Sequence, residues 1–136
     1  MPKDSKTLAL DILVETWNKK NPALIDELYS SECVIHTPDG EIHGIEGGKQ
    51  LYAAYTNSFP DVNFTIEDII AEDDRVAVRY IFNGTHEGKL RGVPATGKHV
   101  AVSGSVFFRF ADGKLIEQIG IWDSLSLMQQ LGAVSS

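Results

Sequence analysis

Residues 99–123 read HVAVSGSVFFRFADGKLIEQIGIWD, and the fold is decided there. Two long runs of β-branched and aromatic residues, Val100 to Phe110 and Leu115 to Trp122, flank Asp112-Gly113, the dipeptide that suits a two-residue type I′ turn. The pattern predicts a long antiparallel hairpin. With the turn as the fixed point, Phe110 faces Leu115, Val106 faces Ile119 and Val102 faces Asp123 across the ladder. Val100, Val102, Val106, Phe108, Phe110, Leu115, Ile119 and Ile121 then share one apolar face, and alternation places Asp123 at its inner end. A carboxyl group there loses hydration, its pKa rises, and it can exchange protons near neutral pH as a general acid or base. The plainer alternative is that Asp123 caps a helix starting at Ser124 and stopped by Gly132.

The opposite face of the hairpin carries Ala101, Ser103, Ser105, Phe107 and Arg109 against Ile116, Gln118, Gly120 and Trp122. This mixture of large apolar, small and hydrogen-bonding groups suits a subunit contact, so a homodimer built on this face is expected.

Upstream, Val62, Phe64 and Ile66 alternate, the phase slips near Asp68 as at a β-bulge, and Ile69 and Ala71 resume before Asp73 and Asp74 turn the chain. Val76, Val78, Tyr80 and Phe82 form one face of the returning strand. Arg79 lies on the other, where an acid such as Glu67 or Asp68 is its expected partner. Residues 84–98 hold Gly84, Gly88, Gly92, Pro94 and Gly97 and read as a long connection with a short strand near Lys89 and Leu90.

Nearer the start the period changes to that of a helix. Leu10, Leu13, Val14 and Trp17 predict an amphipathic helix from Ser5 to Lys20, and Asn21-Pro22 opens a second with Leu24, Ile25, Leu28 and Tyr29 as its buried stripe. A short strand from Cys33 to Thr37 follows. A third helix carries Ile45, Leu51, Tyr52, Tyr55 and Phe59 and stops at Pro60. The expectation is one α+β domain over residues 1–136, N-terminal helices packed on a curved antiparallel sheet and enclosing an apolar pocket.

Bulk composition narrows the function classes. Nineteen acidic and twelve basic residues give a net charge of −7, and the few clustered lysines are interspersed with acids, so neither nucleic acid nor a membrane surface is an expected partner. The opening residues show no export signal, and Cys33 is the only cysteine; a cytoplasmic location is the expectation.

Five segments carry a resemblance. Phe59-Pro60-Asp61, the run from Asp74 to Arg79, Gly84-Thr85-His86-Glu87-Gly88, Gly92-Val93-Pro94-Ala95-Thr96-Gly97 and Trp122-Asp123 resemble, in order and spacing, the signature of the SnoaL-like polyketide cyclases. The resemblance implies the cone of the nuclear transport factor 2-like superfamily, a bent sheet wrapped on helices. It also implies an intramolecular aldol closure of a polyketide ring, with the Asp of the Trp-Asp pair as acid/base and neither metal nor organic cofactor. Asp123 takes that role by resemblance.

Beside Asp123, His86 in its Gly-flanked loop and His36 at a strand end are candidates to orient or protonate a substrate carbonyl, against the alternative of a loop histidine bonded to backbone. Trp17, Tyr52, Tyr55 and Phe59, with Val102, Ile119 and Ile121, are candidates to line a pocket for a small apolar molecule, although aromatic residues at such spacing are core packing more often than not. No histidines recur at metal-ligand spacing, so no metal site is expected. The reading is a cofactor-independent cyclase, lyase or isomerase acting on a small apolar carbonyl compound. Its rivals are a non-catalytic binding or dimerisation domain and an enzyme like ketosteroid isomerase or an epoxide hydrolase.

Overall fold

Asp4 opens the first helix, α1 (Ser5–Leu10), its carboxylate accepting the Thr7 N–H at 2.8 Å. In the computed structural model, which describes residues 3–134, the helix then widens over Asp11–Asn18 into turns that reach five residues back. The Lys19 N–H, for example, donates to the Val14 carbonyl at 2.9 Å. This segment buries Ile12, Leu13, Thr16 and Trp17 and stops at Asn18, short of the expected Lys20. Residues 1–2 and 135–136, the ends of the expected domain, lie outside the described residues.

The second helix, α2 (Leu24–Leu28), is shorter than its apolar stripe suggested. Tyr29 leaves it to begin strand β1 (Tyr29–Thr37), where it pairs with Leu115. After the turn at Pro38 and Asp39 comes β2 (Gly40–His43), a strand that the sequence pattern did not foretell; α3 (Gly44–Ser58) follows and ends before Phe59-Pro60. Then come β3 (Asn63–Glu72), β4 (Arg75–Thr85), β5 (His99–Ala111), β6 (Lys114–Trp122) and α4 (Ser124–Gln130).

The six strands form one sheet in the order β2-β1-β6-β5-β4-β3. Every pair is antiparallel except β1 with β6, which is parallel. The register slips between Ile66 and Asp68, where the change of phase placed a bulge, and Arg79 pairs with Asp68 at 2.7 Å on the outer surface. Asp112 and Gly113 both take positive φ, 52° and 76°, as a type I′ turn requires. The helices cover one face of the sheet. Leu8, Ile12, Leu13, Ile25, Phe59, Val76, Val78, Val100, Val106, Phe108 and Leu115 pack into the core between the two layers.

In the last hairpin the expected register is overturned. Phe110 pairs with Leu115, as the turn dictates, but Arg109 then pairs with Glu117, so Ile116 is a one-residue bulge. From there on every side chain of β6 changes face. Gln118, Gly120 and Trp122 turn inward, opposite Phe108, Val106 and Gly104, whereas Ile119 and Ile121 turn outward. The physical reason lies in the acids. An unbroken ladder would place Glu117 and Asp123 among Val102, Val106 and Phe108, and an ionised carboxylate without a partner there is far too costly to desolvate. The bulge instead puts Glu117 outside, where it meets Arg109 and His36, each at 3.3 Å.

Asn18 joins the first helix to the free edge of the sheet. Its side-chain amide donates to the Phe64 carbonyl at 2.9 Å and its carbonyl oxygen accepts the Phe64 N–H at 2.7 Å. One amide thus satisfies both backbone groups of Phe64 as a neighbouring strand would. The substitution Asn18→Ala strands both groups and is expected to lower stability by about 1–3 kcal/mol. Urea unfolding checks this: the midpoint falls and the slope stays unchanged.

Candidate functional site

The inner face of β3, β4, β5 and β6, the wide-turn helix, α3 and α4 line a half-open cavity of about 60 Å³. The widened turns of the first helix carry Ile12, Leu13 and Trp17 to one wall, and α3 contributes Leu51 and Tyr55. From the sheet come Phe64, Tyr80, Phe82, Val102, Val106, Phe108, Gln118, Gly120 and Trp122, and Leu127 closes the wall from α4. No carboxylate, imidazole, amine or guanidinium stands among the lining residues.

Polarity in the wall comes from four neutral side chains. Gln118 Oε1 and Trp122 Nε1 are both buried without a hydrogen-bond partner, one an acceptor and the other a donor. Tyr55 and Tyr80 add hydroxyl groups. The Tyr55 ring lies edge-on to Trp122 with centroids 5.7 Å apart. Its hydroxyl faces Arg91, and the Trp122 N–H comes near it without closing a hydrogen bond.

Gly104 makes this arrangement possible. It stands between Tyr80 and Trp122 in one row of the ladder, and a Cβ there would lie 2.5 Å from the Tyr80 hydroxyl oxygen. Only a residue without a side chain lets Tyr80 lie across it. The Trp122 ring in turn lies over Gly120, where a Cβ would meet it at 3.4 Å. Gly104 provides the space that the Tyr80 ring occupies, whereas a Cβ at position 120 would meet Trp122 only at ordinary contact distance.

Of the candidates from sequence, Trp17, Tyr55 and Val102 line the cavity. The bulge removes three others. Asp123 is exposed, its carboxylate accepting the Ser126 N–H at 2.9 Å as the cap of α4, so the plainer alternative describes its position. Ile119 and Ile121 lie on the outer surface, Ile121 with 60% of its area exposed. Glu117 was the overlooked signal: the same alternation that set Asp123 inside sets Glu117 inside as well, and two acids on one apolar face call for a register slip.

Tyr52 is placed beside the cavity, edge-on to Trp17 at 5.1 Å, and Phe59 is fully buried between Phe82 and His86. Neither lines the cavity wall. His86 is fully buried in the loop after β4. Its Nδ1 accepts the Thr96 N–H at 3.2 Å and meets Thr96 Oγ1 at 3.0 Å, which places the ring proton on Nε2. This histidine holds the ends of the 86–98 connection together, and its Nε2 is buried without a hydrogen-bond partner. His36 stands on the outer surface between Glu41 and Glu117, each at 3.3 Å. Among the described residues no group of three or more His, Cys, Asp or Glu gathers as metal ligands would, and no helix is long and apolar enough to cross a membrane.

The sequence reading missed Gln118 and Gly120 because they face inward only in the true register. Tyr80 and Gly104 lie on faces that simple alternation already turns inward, and were not singled out there as site residues.

Burial holds the pKa of all four tyrosines above the usual value, for Tyr55 against the opposing pull of Arg91. In the unfolded chain tyrosine ionises near 10. Between that value and the higher folded ones the unfolded state releases protons that the folded state keeps, so stability is intact below pH 10 and falls above it. The expected result of an alkaline titration followed at the tyrosinate absorption band is that Tyr29 and Tyr80 ionise only as the protein unfolds. Ionisation of all four at pH 10 with near-ultraviolet dichroism unchanged would show the hydroxyls to be exposed.

The family model described as SnoaL-like polyketide cyclase matches residues 7–131. Among solved structures, AclR from Streptomyces galilaeus, described as a candidate hydroxylase, is 30% identical with a TM-score of 0.86, covering 97% of this chain and 83% of its own. IdmH from Streptomyces antibioticus, described as a candidate polyketide cyclase, is 28% identical with a TM-score of 0.83, over 96% of this chain and 99% of its own. A SnoaL-like polyketide cyclase candidate from Jannaschia sp. CCS1, 24% identical, shares the fold with a TM-score of 0.88 over 98% and 96% of the two chains. No curated protein matches the chain.

Proposed function

We propose, since the chain belongs to the SnoaL-like polyketide cyclase family, that it binds a polyketide-like carbonyl compound in the neutral cavity and promotes its ring closure through hydrogen bonds alone. The observation that carries this reading is the pair of buried, unpartnered atoms, Gln118 Oε1 and Trp122 Nε1, on an otherwise apolar wall. Leaving such a group unsatisfied costs about 1–3 kcal/mol. A ligand with a hydroxyl donor beside a carbonyl acceptor recovers that cost, and the enol form of a 1,3-dicarbonyl is such a group.

In an intramolecular aldol closure the enol carbon attacks a ketone carbon, and the enol proton ends on the new alkoxide oxygen. Atoms balance within the substrate. Trp122 and the two tyrosine hydroxyls supply donors to the oxygen on which charge develops, and a single well-aimed donor is worth roughly 3–4 kcal/mol of barrier. Gln118 accepts from the enol hydroxyl and favours that tautomer. Asp123 has no place in this scheme beyond starting α4. The neutrality of the wall also favours a second reading, a domain that binds such a compound without turning it over; conversion of a linear polyketone separates the two.

Calorimetric titration with 1-hydroxy-2-acetonaphthone, a ring bearing adjacent hydroxyl and ketone groups, tests the site. Gln118→Leu is expected to weaken binding about tenfold, the loss of one hydrogen bond of about 1.4 kcal/mol. Asp123→Ala is expected to leave affinity unchanged and to lower stability by about 1 kcal/mol through the lost cap. Loss of binding in Asp123→Ala, or none in the parent protein, contradicts the assignment.

The same reading includes a homodimer on the outer face of the sheet. The row Ile70, Ala77, Phe107, Ile119 crosses four strands, and Phe107 and Ile121 are 53% and 60% exposed. Apolar groups gathered so on one face favour burial against a second copy. Sedimentation equilibrium at micromolar concentration is expected to give twice the 14.9 kDa chain mass, and Phe107→Glu to give the chain mass with the fold retained. A monomer in the parent protein defeats this part of the proposal.

A further inference from the structure

Arg91 stands outside the cavity lining, near the hydroxyl of Tyr55, which belongs to that lining. It stands with Gly92 at the tip of a tight turn in which the Leu90 N–H donates to the Val93 carbonyl at 3.0 Å and the Val93 N–H to the Leu90 carbonyl at 2.7 Å. Its φ is +49°, a conformation that Gly, Asn or Asp adopts more cheaply, so local backbone geometry gives no reason for an arginine. The guanidinium pairs with Asp39 of the β1–β2 turn at 2.5 Å and is near enough to Tyr55 to pull its pKa down against burial. Its side chain is 30% exposed and that of Asp39 58%. An arginine carries five donors in a planar fork. Asp39 takes a bond from one nitrogen of that fork, and the half-exposed pair is weak enough to exchange.

We infer that Arg91 is a specificity-determining residue that receives a carboxylate carried by the cavity's ligand, which makes the preferred ligand an apolar ring acid rather than a neutral ring ketone. The inference rests on the reading of the cavity as a ligand site. With its ring among Trp17, Phe82, Val106 and Trp122, such a ligand presents its carboxylate at the Tyr55 edge, where the Arg91 fork can take it in two parallel bonds. Asp39 then acts as the internal stand-in for the ligand's acid and is displaced from the fork when the ligand binds. The chain's net charge of −7 disfavours anions in general, so an anion taken at this site depends on a local cation such as Arg91.

Calorimetric titration with 2-naphthoate and its neutral isostere 2-naphthamide tests the inference, on the parent protein and on Arg91→Met, Arg91→Lys and Asp39→Asn. The parent is expected to bind naphthoate about tenfold more tightly than naphthamide, with a preference that shrinks as salt rises. Arg91→Met is expected to abolish the preference while keeping the affinity for naphthamide, which also reports that its cavity is folded. Arg91→Lys keeps the charge but loses the fork and is expected to retain part of the preference; Asp39→Asn, which removes the competing acid, is expected to raise it. Equal affinities in the parent, or a preference that survives Arg91→Met, overturn the inference and leave the cavity reading standing. If neither compound binds the parent, both fall.

Discussion

A carboxylate cannot stand alone among valines and phenylalanines, and most of what distinguishes this protein follows from that constraint. The last strand carries Glu117 and Asp123, an even number of positions apart, so an unbroken ladder must direct both to the same face. The apolar residues between them favour the core, and the acids forbid it. One unpaired residue, Ile116, resolves the conflict by turning the rest of the strand over. The cavity wall then receives an amide, a glycine and an indole in place of two isoleucines and a carboxylate. The outer surface receives the isoleucines, and with them its apolar character.

Much of the fold was legible because it rests on local rules. Asp112-Gly113 fixed the hairpin turn, the change of phase near Asp68 located one bulge, and Val76, Val78, Tyr80 and Phe82 faced inward as their alternation required. What could not be read depends on distant partners. β2 is four residues long and exists because β1 offers it an edge, and Tyr29 joins β1 because Leu115 lies beside it. The candidate site was legible only in part, since Trp17, Tyr55 and Val102 lie before the second bulge, whereas the assignments to Asp123, Ile119 and Ile121 lay beyond it. A parity argument carries its error forward with full strength: one missed residue reverses every later side chain.

The resulting cavity has little in common with an acid/base site and much in common with a binding site for a polar group inside an apolar one. Its donors and acceptors belong to groups that stay neutral in the physiological range, so the wall keeps the same pattern across wide changes of pH. Charge is kept to the margin, where Arg91 and Asp39 meet Tyr55. Gly104 serves this pattern as much as the polar residues do, because it holds the space into which Tyr80 leans. The identity of such a site is written in the small residues between the large ones.

The attachment of Asn18 to Phe64 has a further consequence, for the behaviour of many chains together. A sheet with free edges invites other strands to join it, and β3 is the longer of the two edges here. Its first backbone pair is occupied by the Asn18 amide, its middle is bent by the bulge before Asp68, and Glu67, Asp68 and Glu72 surround the remainder with negative charge. The other edge, β2, is too short to template much. The helix that closes the cavity therefore also guards the sheet, and loosening it would release a pairing surface for aggregation at the same moment that it opened the cavity.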